Sequence, residues 1–453
     1  MNMNKFYDIH AHAFNLSHPN LSAFLIREDL IDSLIDENFT FGVRLKLFGA
    51  GFVTKNFIKK TINNALTSGS PSLKEQLNNT LAFYEIPLEY QFLVLDHFLQ
   101  SGSPEVFNEN HQIMIGEKAY NKIVLCPLVI DFGYKGIPKN EKNGVFYNLT
   151  PKRPIVNQIG DLLYAIRTYY RFNLVIDSAS KKMDLSKEIP DFETNKHKKL
   201  FEIYPFMGLD TRNYTLEQVK DMLDKYFKNF TKEESAEARR NRLFEKMGKL
   251  DSNMYVTMPD YYTDIFAGIK LYPQLGFDPY PTNAQEGTEA LDKVKYLYEF
   301  CIERRIPIVT HCSDGGYKVG DYDPLTSPEG KWKRVLEAYP ELTVDFAHFG
   351  NQKSKKTVWQ NAIINLTETY PNVYTDISCN DATPSYYNEL EKLFNGKNPS
   401  LHEKVLYGSD FSINLLVTKI KSYNEYLKPF LDAKLSYKHD LCEFNPKKFL
   451  FGE

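Results

Sequence analysis

The stretch of sequence that decides the fold is residues 291–311, LDKVKYLYEFCIERRIPIVTH. From Leu291 to Ile302 an apolar residue recurs every three or four positions, which predicts a helix with one apolar face. Two arginines then precede Pro307, and the β-branched residues 308–310 follow, so we expect the helix to end and a short buried strand to begin. A helix that leads into a buried strand is the repeating unit of a parallel α/β sheet.

Seven other runs resemble the one at the end of this stretch, because they are short, apolar, rich in β-branched residues and bounded by turn residues. Together the eight runs are 6–10, 123–130, 201–209, 267–272, 306–311, 342–348, 373–378 and 404–409. Longer amphipathic stretches lie between them. Eight strands that alternate with helices predict an α/β protein with a (β/α)8 TIM barrel.

The length of the chain bears on its domain organisation. With 453 residues it is about three domains long by a rough rule of 150 residues per domain, although a decorated barrel reaches this length as one unit. The first four βα units occupy 6–305 and the last four, with the tail, occupy 306–453. We therefore predict a single barrel over 1–453. Large, mostly helical insertions are expected after strands 1, 2 and 3, at approximately 13–122, 132–200 and 211–266.

Composition excludes several classes of function. Lys and Arg total 55 and Asp and Glu total 58, so the net charge of −3 disfavours a nucleic-acid partner or an anionic membrane. The longest apolar run, 123–130, is too short to span a bilayer.

The first residues, MNMNKFYDIHAH, contain no apolar stretch typical of a secretory signal. Five cysteines are few and suit a reducing compartment, so we predict a cytoplasmic protein. The sequence is compatible with a homo-oligomer.

Histidines and one aspartate fall where predicted strands end. His10 and His12 lie at the end of the first run, and residues two apart in a strand point to the same face. His311 ends the fifth run, His348 ends the sixth, and Asp410 follows the eighth. The carboxyl ends of barrel strands meet at one mouth. The joint placement of His10, His12, His311 and Asp410 predicts a metal site, and nitrogen and carboxylate ligands suit zinc, with manganese or iron as alternatives.

These residues belong to six short motifs that occur in order along nearly the whole chain. They are YDIHAH at 7–12, GIKLYP at 268–273, PIVTH at 307–311, AHFG at 347–350, LYGSD at 406–410 and NPKKFLF at 445–451. With these motifs the chain resembles the amidohydrolase superfamily, and specifically the amidohydrolase-2 branch of metal-dependent TIM-barrel hydrolases and decarboxylases.

The resemblance implies roles for five residues. A metal would be held by His10, His12, His311 and Asp410, with His348 close by as a proton-transfer residue. Elementary chemistry agrees, because a bound cation lowers the pKa of a coordinated water molecule and Asp410 beside it can take the proton. Asp410 and His348 are therefore the predicted catalytic residues.

Two further residues at the mouth are candidates. In related barrels a lysine at the position of Lys270 is carbamylated and bridges two metals, in which case His311 and His348 bind the second ion. In the amidohydrolase-2 branch one metal is usual and the lysine is left to bind a substrate anion; the GIKLYP context favours one ion. Arg212, after the third run, could bind a substrate carboxylate through its planar guanidinium, or form a structural ion pair with Asp210.

The function predicted from this resemblance is hydrolysis of a carbonyl-containing small molecule, an amide, a lactone or an ester, by metal-activated water. The alternative is non-oxidative decarboxylation of a carboxylated small molecule at the same metal site. A further alternative is a barrel that binds metal without catalysis. The insertions follow strands on the catalytic face, so we expect them to form much of the substrate pocket.

Overall fold

The computed structural model describes residues 4–15, 83–84, 86–132, 155–180, 182–248, 250, 263–282, 288–317, 322–352, 357–396, 398–417 and 420–453. The strands are β1 Lys5–Ala11, β2 Ile113–Ile115, β3 Lys118–Tyr120, β4 Lys122–Pro127, β5 Leu174–Ile176, β6 Met183–Leu185, β7 Phe201–Ile203, β8 Phe206–Gly208, β9 Gly268–Leu271, β10 Ile308–Thr310, β11 Val344–Phe346, β12 Val373–Asp376 and β13 Val405–Leu406. The α-helices are α1 Leu88–Gly102, α2 Ile155–Arg171, α3 Phe192–Lys196, α4 Leu216–Tyr226, α5 Ala236–Gly248, α6 Thr288–Arg304, α7 Asp323–Thr326, α8 Lys331–Ala338, α9 Val358–Thr369, α10 Pro384–Phe394, α11 Asn414–Val417, α12 Tyr423–Asp432 and α13 Asn445–Phe451.

The parallel strands lie side by side in the order in which they occur along the chain. Strands β1, β4 and β7 form one parallel sheet, and β8 to β13, each paired with the next, form another. Backbone hydrogen bonds join the two sheets at both seams: Ile9 donates to Tyr407, with N and O 3.1 Å apart, and Val129 donates to Phe206 at the same distance. Each of the eight predicted runs coincides with a strand of these two sheets, the run 201–209 with both β7 and β8, and the TIM-barrel fold is confirmed.

The third barrel strand is divided into β7 and β8 by Tyr204 and Pro205. Proline has no backbone N–H to donate to a neighbouring strand, so the ladder is interrupted there. The chain still runs on in the same direction, because Tyr204 donates to Leu125 on one side and the Pro205 carbonyl accepts from Ala267 on the other. This strand therefore connects the two sheets.

The stretch that predicted the fold forms the expected unit. Helix α6 ends at Arg304, and β10 begins one residue after Pro307. Leu297 and Tyr298, from the predicted apolar face, are fully buried. The unit therefore delivers His311 to the carboxyl end of the barrel, one residue beyond β10.

The described parts of the three predicted insertions contain α1 to α5 and two small antiparallel hairpins, β2–β3 and β5–β6. Residues 16–82, most of the first insertion, lie outside the described part of the chain, as do 133–154 and 251–262. The insertion boundaries and the single-domain organisation remain predictions. Within the described residues, no helix combines the length and apolar character needed to cross a bilayer.

Candidate metal centre

The ends of four barrel strands bring the predicted site residues together. His10 lies within β1 and His12 just beyond it, His311 follows β10, and Asp410 lies four residues after β13. His348 lies in the 3₁₀ turn Ala347–Gly350 that follows β11. All five side chains are buried, with no more than 8% of any residue exposed.

The backbone at two of these residues is unusual. His348 has a φ of 64°, its neighbours Phe349 and Gly350 have φ of 50° and 63°, and Asp410 has a φ of 56°. Left-handed backbone is disfavoured for residues that carry a Cβ, so the surrounding structure must hold these residues there. The Asp410 amide is fixed by a hydrogen bond of 2.7 Å to the carbonyl of His10.

His10 and His12 each use one ring nitrogen for a hydrogen bond and turn the other toward Asp410. His10 Nδ1 lies 2.7 Å from Asp376 Oδ2, and His12 Nδ1 lies 2.8 Å from the carbonyl oxygen of Leu128. Both acceptors require the proton on Nδ1. The Nε2 atoms, which then carry lone pairs, lie 3.5 Å (His10) and 3.0 Å (His12) from Asp410 Oδ1.

His311 and His348 follow the same pattern. His311 Nε2 lies 3.2 Å from the carbonyl oxygen of Gly315, and His348 Nδ1 lies 2.9 Å from Ser378 Oγ. Their other nitrogens, His311 Nδ1 and His348 Nε2, lie 3.2 Å apart. Four imidazoles therefore direct one nitrogen each into the same buried region.

This donor set fits a bound cation. His10 Nε2 and Asp410 Oδ1 are buried, and neither has a hydrogen-bond partner among the described residues. Lone pairs that face one another or a carboxylate oxygen repel unless a positive charge lies between them. Within the described residues, His10, His348 and Asp410 offer ligand atoms that all lie within 4.8 Å of one another. Imidazole and carboxylate groups are ordinary ligands of zinc and related metals.

The protonation states of three of the buried histidines and of Asp410 also fit a bound cation. Burial lowers the pKa of His10 to about 3 and also lowers the pKa of His311 and of His348. Burial alone would raise the pKa of Asp410, but its contact with His12 and the charges of the neighbouring histidines hold that pKa below its ordinary value. Neutral imidazoles and an ionised carboxylate are the forms that bind metals.

Lys270 lies in a buried group of carboxylates. Burial lowers its pKa to about 8, opposed by the negative charges of Asp376, Asp410 and Asp345. Its Nζ is buried and has no hydrogen-bond partner among the described residues. Burial and the charge of Asp376 raise the pKa of Asp345 well above its usual range. Lys270 is therefore a buried amine close to the predicted metal ligands, and its carbamylation or use as an anion site remains a prediction.

Arg212 forms an ion pair with Asp210. Its Nε lies 3.0 Å from Asp210 Oδ1, one terminal nitrogen lies 2.6 Å from Oδ2, and that nitrogen also donates to the carbonyl of Leu275 at 2.7 Å. The alternative of a structural ion pair is thus the arrangement that the structure contains. A role of Arg212 in binding substrate remains a prediction.

Sequence analysis did not identify Asp8 as part of this region. Its buried carboxylate accepts from Ser409 N at 2.9 Å, from Ser409 Oγ at 2.6 Å and from Tyr423 OH at 2.9 Å. Asp8 thereby fixes the loop that carries Asp410 against β1. Its position two residues before His10 in the YDIHAH motif was the available signal.

A chain of aromatic rings crosses the mouth from one predicted ligand to another. Neighbouring rings have centroids 4.3–6.3 Å apart, in the order His12, Phe14, Phe132, Tyr317, Tyr272 and His311. The Tyr272 ring is stacked on His311, with an angle of 16° between their planes. Phe14 and Phe132 come from the predicted first and second insertions, so these insertions contribute directly to the mouth.

Residues 263–451 match the model of the amidohydrolase family. No curated protein matches the chain. Similar solved structures include a 4-oxalomesaconate hydratase from Rhodopseudomonas palustris, with 10% identity over 98% of this chain and 95% of that one, and a TM-score of 0.38.

Two other solved structures are similar at low identity. A probable 2-pyrone-4,6-dicarboxylic acid hydrolase from Acinetobacter baumannii is 13% identical over 77% of this chain and 96% of its own, with a TM-score of 0.36. An amidohydrolase 2 from Bifidobacterium longum subsp. infantis is 19% identical over 41% of this chain and 61% of its own, with a TM-score of 0.28.

The family match covers the part of the chain that contains Lys270, His311, His348 and Asp410. The motifs that suggested the family lie mostly in the same region, and the resemblance predicted from them is confirmed. Over residues 263–451, less than half of its length, the chain is similar to the amidohydrolase family, and this match supports its identification as an enzyme of the amidohydrolase superfamily with a TIM-barrel fold.

Proposed function

We propose that this protein is a metal-dependent hydrolase that acts on a small molecule with an amide, lactone or ester carbonyl. The observation that carries the proposal is that His10 Nε2 and His12 Nε2 lie 3.5 and 3.0 Å from Asp410 Oδ1 in a buried site, where His10 Nε2 and Asp410 Oδ1 have no hydrogen-bond partner among the described residues. When a divalent cation is held there it lowers the pKa of a coordinated water molecule toward neutrality.

Asp410 and His348 supply the proton transfers in this proposal. The Asp410 carboxylate is ionised at neutral pH, because its pKa is lower than usual, and it can accept a proton from the attacking water. His348 is neutral, because burial lowers its pKa, and its Nε2 lies 3.2 Å from the predicted ligand His311. It can take up from Asp410 the proton that came from water and pass it to the leaving group.

The metal set of the proposal is His10, His12, His311 and Asp410 around one ion. Zinc is the metal we propose, with manganese or iron as alternatives, because the donors are imidazole nitrogens and a carboxylate without a thiolate. All five cysteines are free and four are buried, in keeping with a reducing, cytoplasmic compartment. The proposal is compatible with a monomer and with a homo-oligomer.

His10→Ala is expected to lower the affinity for zinc at least about 10-fold and to abolish hydrolysis, because one ligand is lost. Metal content after equilibration with limiting zinc is measured by elemental analysis. Turnover is measured on a panel of small amides, lactones and esters in ¹⁸O-labelled water, since hydrolysis places the label in the product carboxylate.

The matched control is His97→Ala, which removes a partly exposed histidine on α1 outside the mouth. It should retain the metal content and turnover of the unaltered protein. Equal zinc affinity in the His10→Ala and unaltered proteins would contradict the ligand assignment. Products without label would contradict hydrolysis.

A second candidate, non-oxidative decarboxylation, is favoured by one observation: Lys270 Nζ is buried and has no hydrogen-bond partner among the described residues. A buried ammonium can bind the carboxylate of a substrate. Lys270→Met is expected to raise KM for a carboxylated substrate at least about 10-fold, because a charge-assisted hydrogen bond contributes about 1.5–3 kcal/mol. Release of carbon dioxide from unsaturated carboxylic acids, without label in the product, would select this reaction; equal KM values would exclude Lys270 as the anion site.

A further inference from the structure

The side chain of Ser378 lies between two imidazole rings and a carboxylate at the floor of the candidate site. Its Oγ lies 2.9 Å from His348 Nδ1 and 3.1 Å from His10 Nδ1, and it donates to Asp376 Oδ1. Ser378 is 1% exposed, so water does not replace these contacts. Among the residues predicted from the sequence, Ser378 does not occur.

Counting protons fixes the direction of each hydrogen bond. The single hydroxyl proton of Ser378 goes to Asp376 Oδ1, and the Nδ1 proton of His10 goes to Asp376 Oδ2 at 2.7 Å. Ser378 Oγ can then only accept from His348, so His348 carries its proton on Nδ1. The carbonyl oxygen of Ser378, 3.4 Å from the same nitrogen, is a second acceptor for it.

The loop that carries Ser378 is itself held in place. Asp376 Oδ1 accepts from the backbone amides of Ser378 at 2.9 Å and of His348 at 3.0 Å. Tyr426 OH accepts from the amide of Asn380 at 3.3 Å and donates to the carbonyl of Ile377 at 3.1 Å. The hydroxyl of Ser378 is therefore presented to His348 by a rigid turn.

We propose that Ser378 is a positioning residue that fixes His348 in the tautomer with the proton on Nδ1 and connects it to the Asp376 carboxylate. The inference rests on the proposed function, which names His348 as the proton-transfer group. It adds the order of events: His348 accepts, at Nε2, the proton that Asp410 has taken from the attacking water, since ligand atoms of the two residues lie within 4.8 Å of one another. The positive charge formed there is stabilised by Asp376 through the Ser378 hydroxyl, and the same Nε2 proton then passes to the leaving group.

The direct test is the ring tautomer of His348, read from long-range ¹⁵N–¹H correlation spectra of the zinc-loaded, full-length protein labelled with ¹⁵N-histidine. The His348 signals are assigned by their loss in His348→Gln. In the unaltered protein the Nδ1–H form is expected. Ser378→Ala should shift the ring toward the Nε2–H form, and Ser378→Thr, which keeps the hydroxyl, should restore it.

Ser103→Ala is the control, because Ser103 is a buried serine next to α1 and outside the mouth; it should leave the His348 signals unchanged. An Nε2–H form in the unaltered protein, or the same His348 signals in Ser378→Ala, overturns the proposal.

Kinetics provide a second readout of the same variants. Ser378→Ala is expected to lower kcat about 10-fold with KM unchanged, and Ser378→Thr to recover most of that loss. An equal kcat in Ser378→Ala overturns the positioning role. If the protein hydrolyses nothing on the panel, the proposed function fails, but the tautomer measurement still decides the role of Ser378.

Discussion

Replacing Asp410 with asparagine is expected to lower kcat/KM for hydrolysis at least about 10³-fold while the protein remains folded. The amide has nearly the same shape, but it carries no negative charge and its nitrogen cannot accept a proton. Asp410 Oδ1 lies 3.0 Å from His12 Nε2 and 3.5 Å from His10 Nε2. A neutral group there is therefore also expected to lower the affinity of the site for a cation. The measurement is steady-state turnover on a substrate found with the panel, together with bound zinc and circular dichroism.

The control for this variant is Asp221→Asn, which changes an exposed aspartate on α4 in the same way. It should leave turnover and metal content unaltered. Asp410→Glu keeps the charge but displaces it by one methylene, and it should retain metal better than Asp410→Asn does. Turnover of Asp410→Asn within threefold of the unaltered protein would refute the role assigned to Asp410.

Replacing Asp8 with alanine is expected to lower the free energy of unfolding by at least about 3 kcal/mol. The carboxylate accepts four hydrogen bonds, from Ser409 N, Ser409 Oγ, Tyr423 OH and the amide of His10, in a fully buried position. Alanine leaves these donors buried without an acceptor and also opens a small cavity. The change is measured from urea unfolding followed by tryptophan fluorescence and circular dichroism.

Asp8→Asn separates the hydrogen bonds from the volume of the side chain. It keeps one acceptor oxygen and nearly the same size, so its loss of stability should be clearly smaller than that of Asp8→Ala. Because Ser409 precedes Asp410, both variants should also lose catalytic activity. The loss should be larger in Asp8→Ala, which removes more of the contacts that hold this loop. Equal stability of Asp8→Ala and the unaltered protein would show that the contacts of Asp8 contribute nothing net to the fold.

The fold and the gathering of the site residues were predictable from the sequence because both depend on local patterns. A buried strand is visible in its β-branched residues, as in 306–311, and the residue that ends it must lie at the mouth of the barrel. His10, His12, His311, His348 and Asp410 were selected in this way. In the structure all five are buried, and ligand atoms of His10, His348 and Asp410 lie within 4.8 Å of one another. The ligand set, the identity of the metal and the substrate remain proposals.

The residues that support the site could not be predicted in this way. Asp8 contacts Tyr423, a residue 415 positions away, and Ser409, 401 positions away. No local period indicates such pairs, because they depend on which side chains the closed barrel turns inward. Ser378 carries no signal of its own, since serine after a strand is typical of an ordinary turn. The insertions were recognised by their length alone.

The left-handed backbone of His348 and Asp410 has a consequence for how this protein can change over evolutionary time. A residue with a Cβ in that conformation costs about 1–2 kcal/mol, and φ is 64° at His348 and 56° at Asp410. Glycine would adopt this conformation at a lower free-energy cost at both positions, but it would supply neither an imidazole nor a carboxylate. In the proposed mechanism, selection for stability and selection for catalysis therefore act in opposite directions at these two positions.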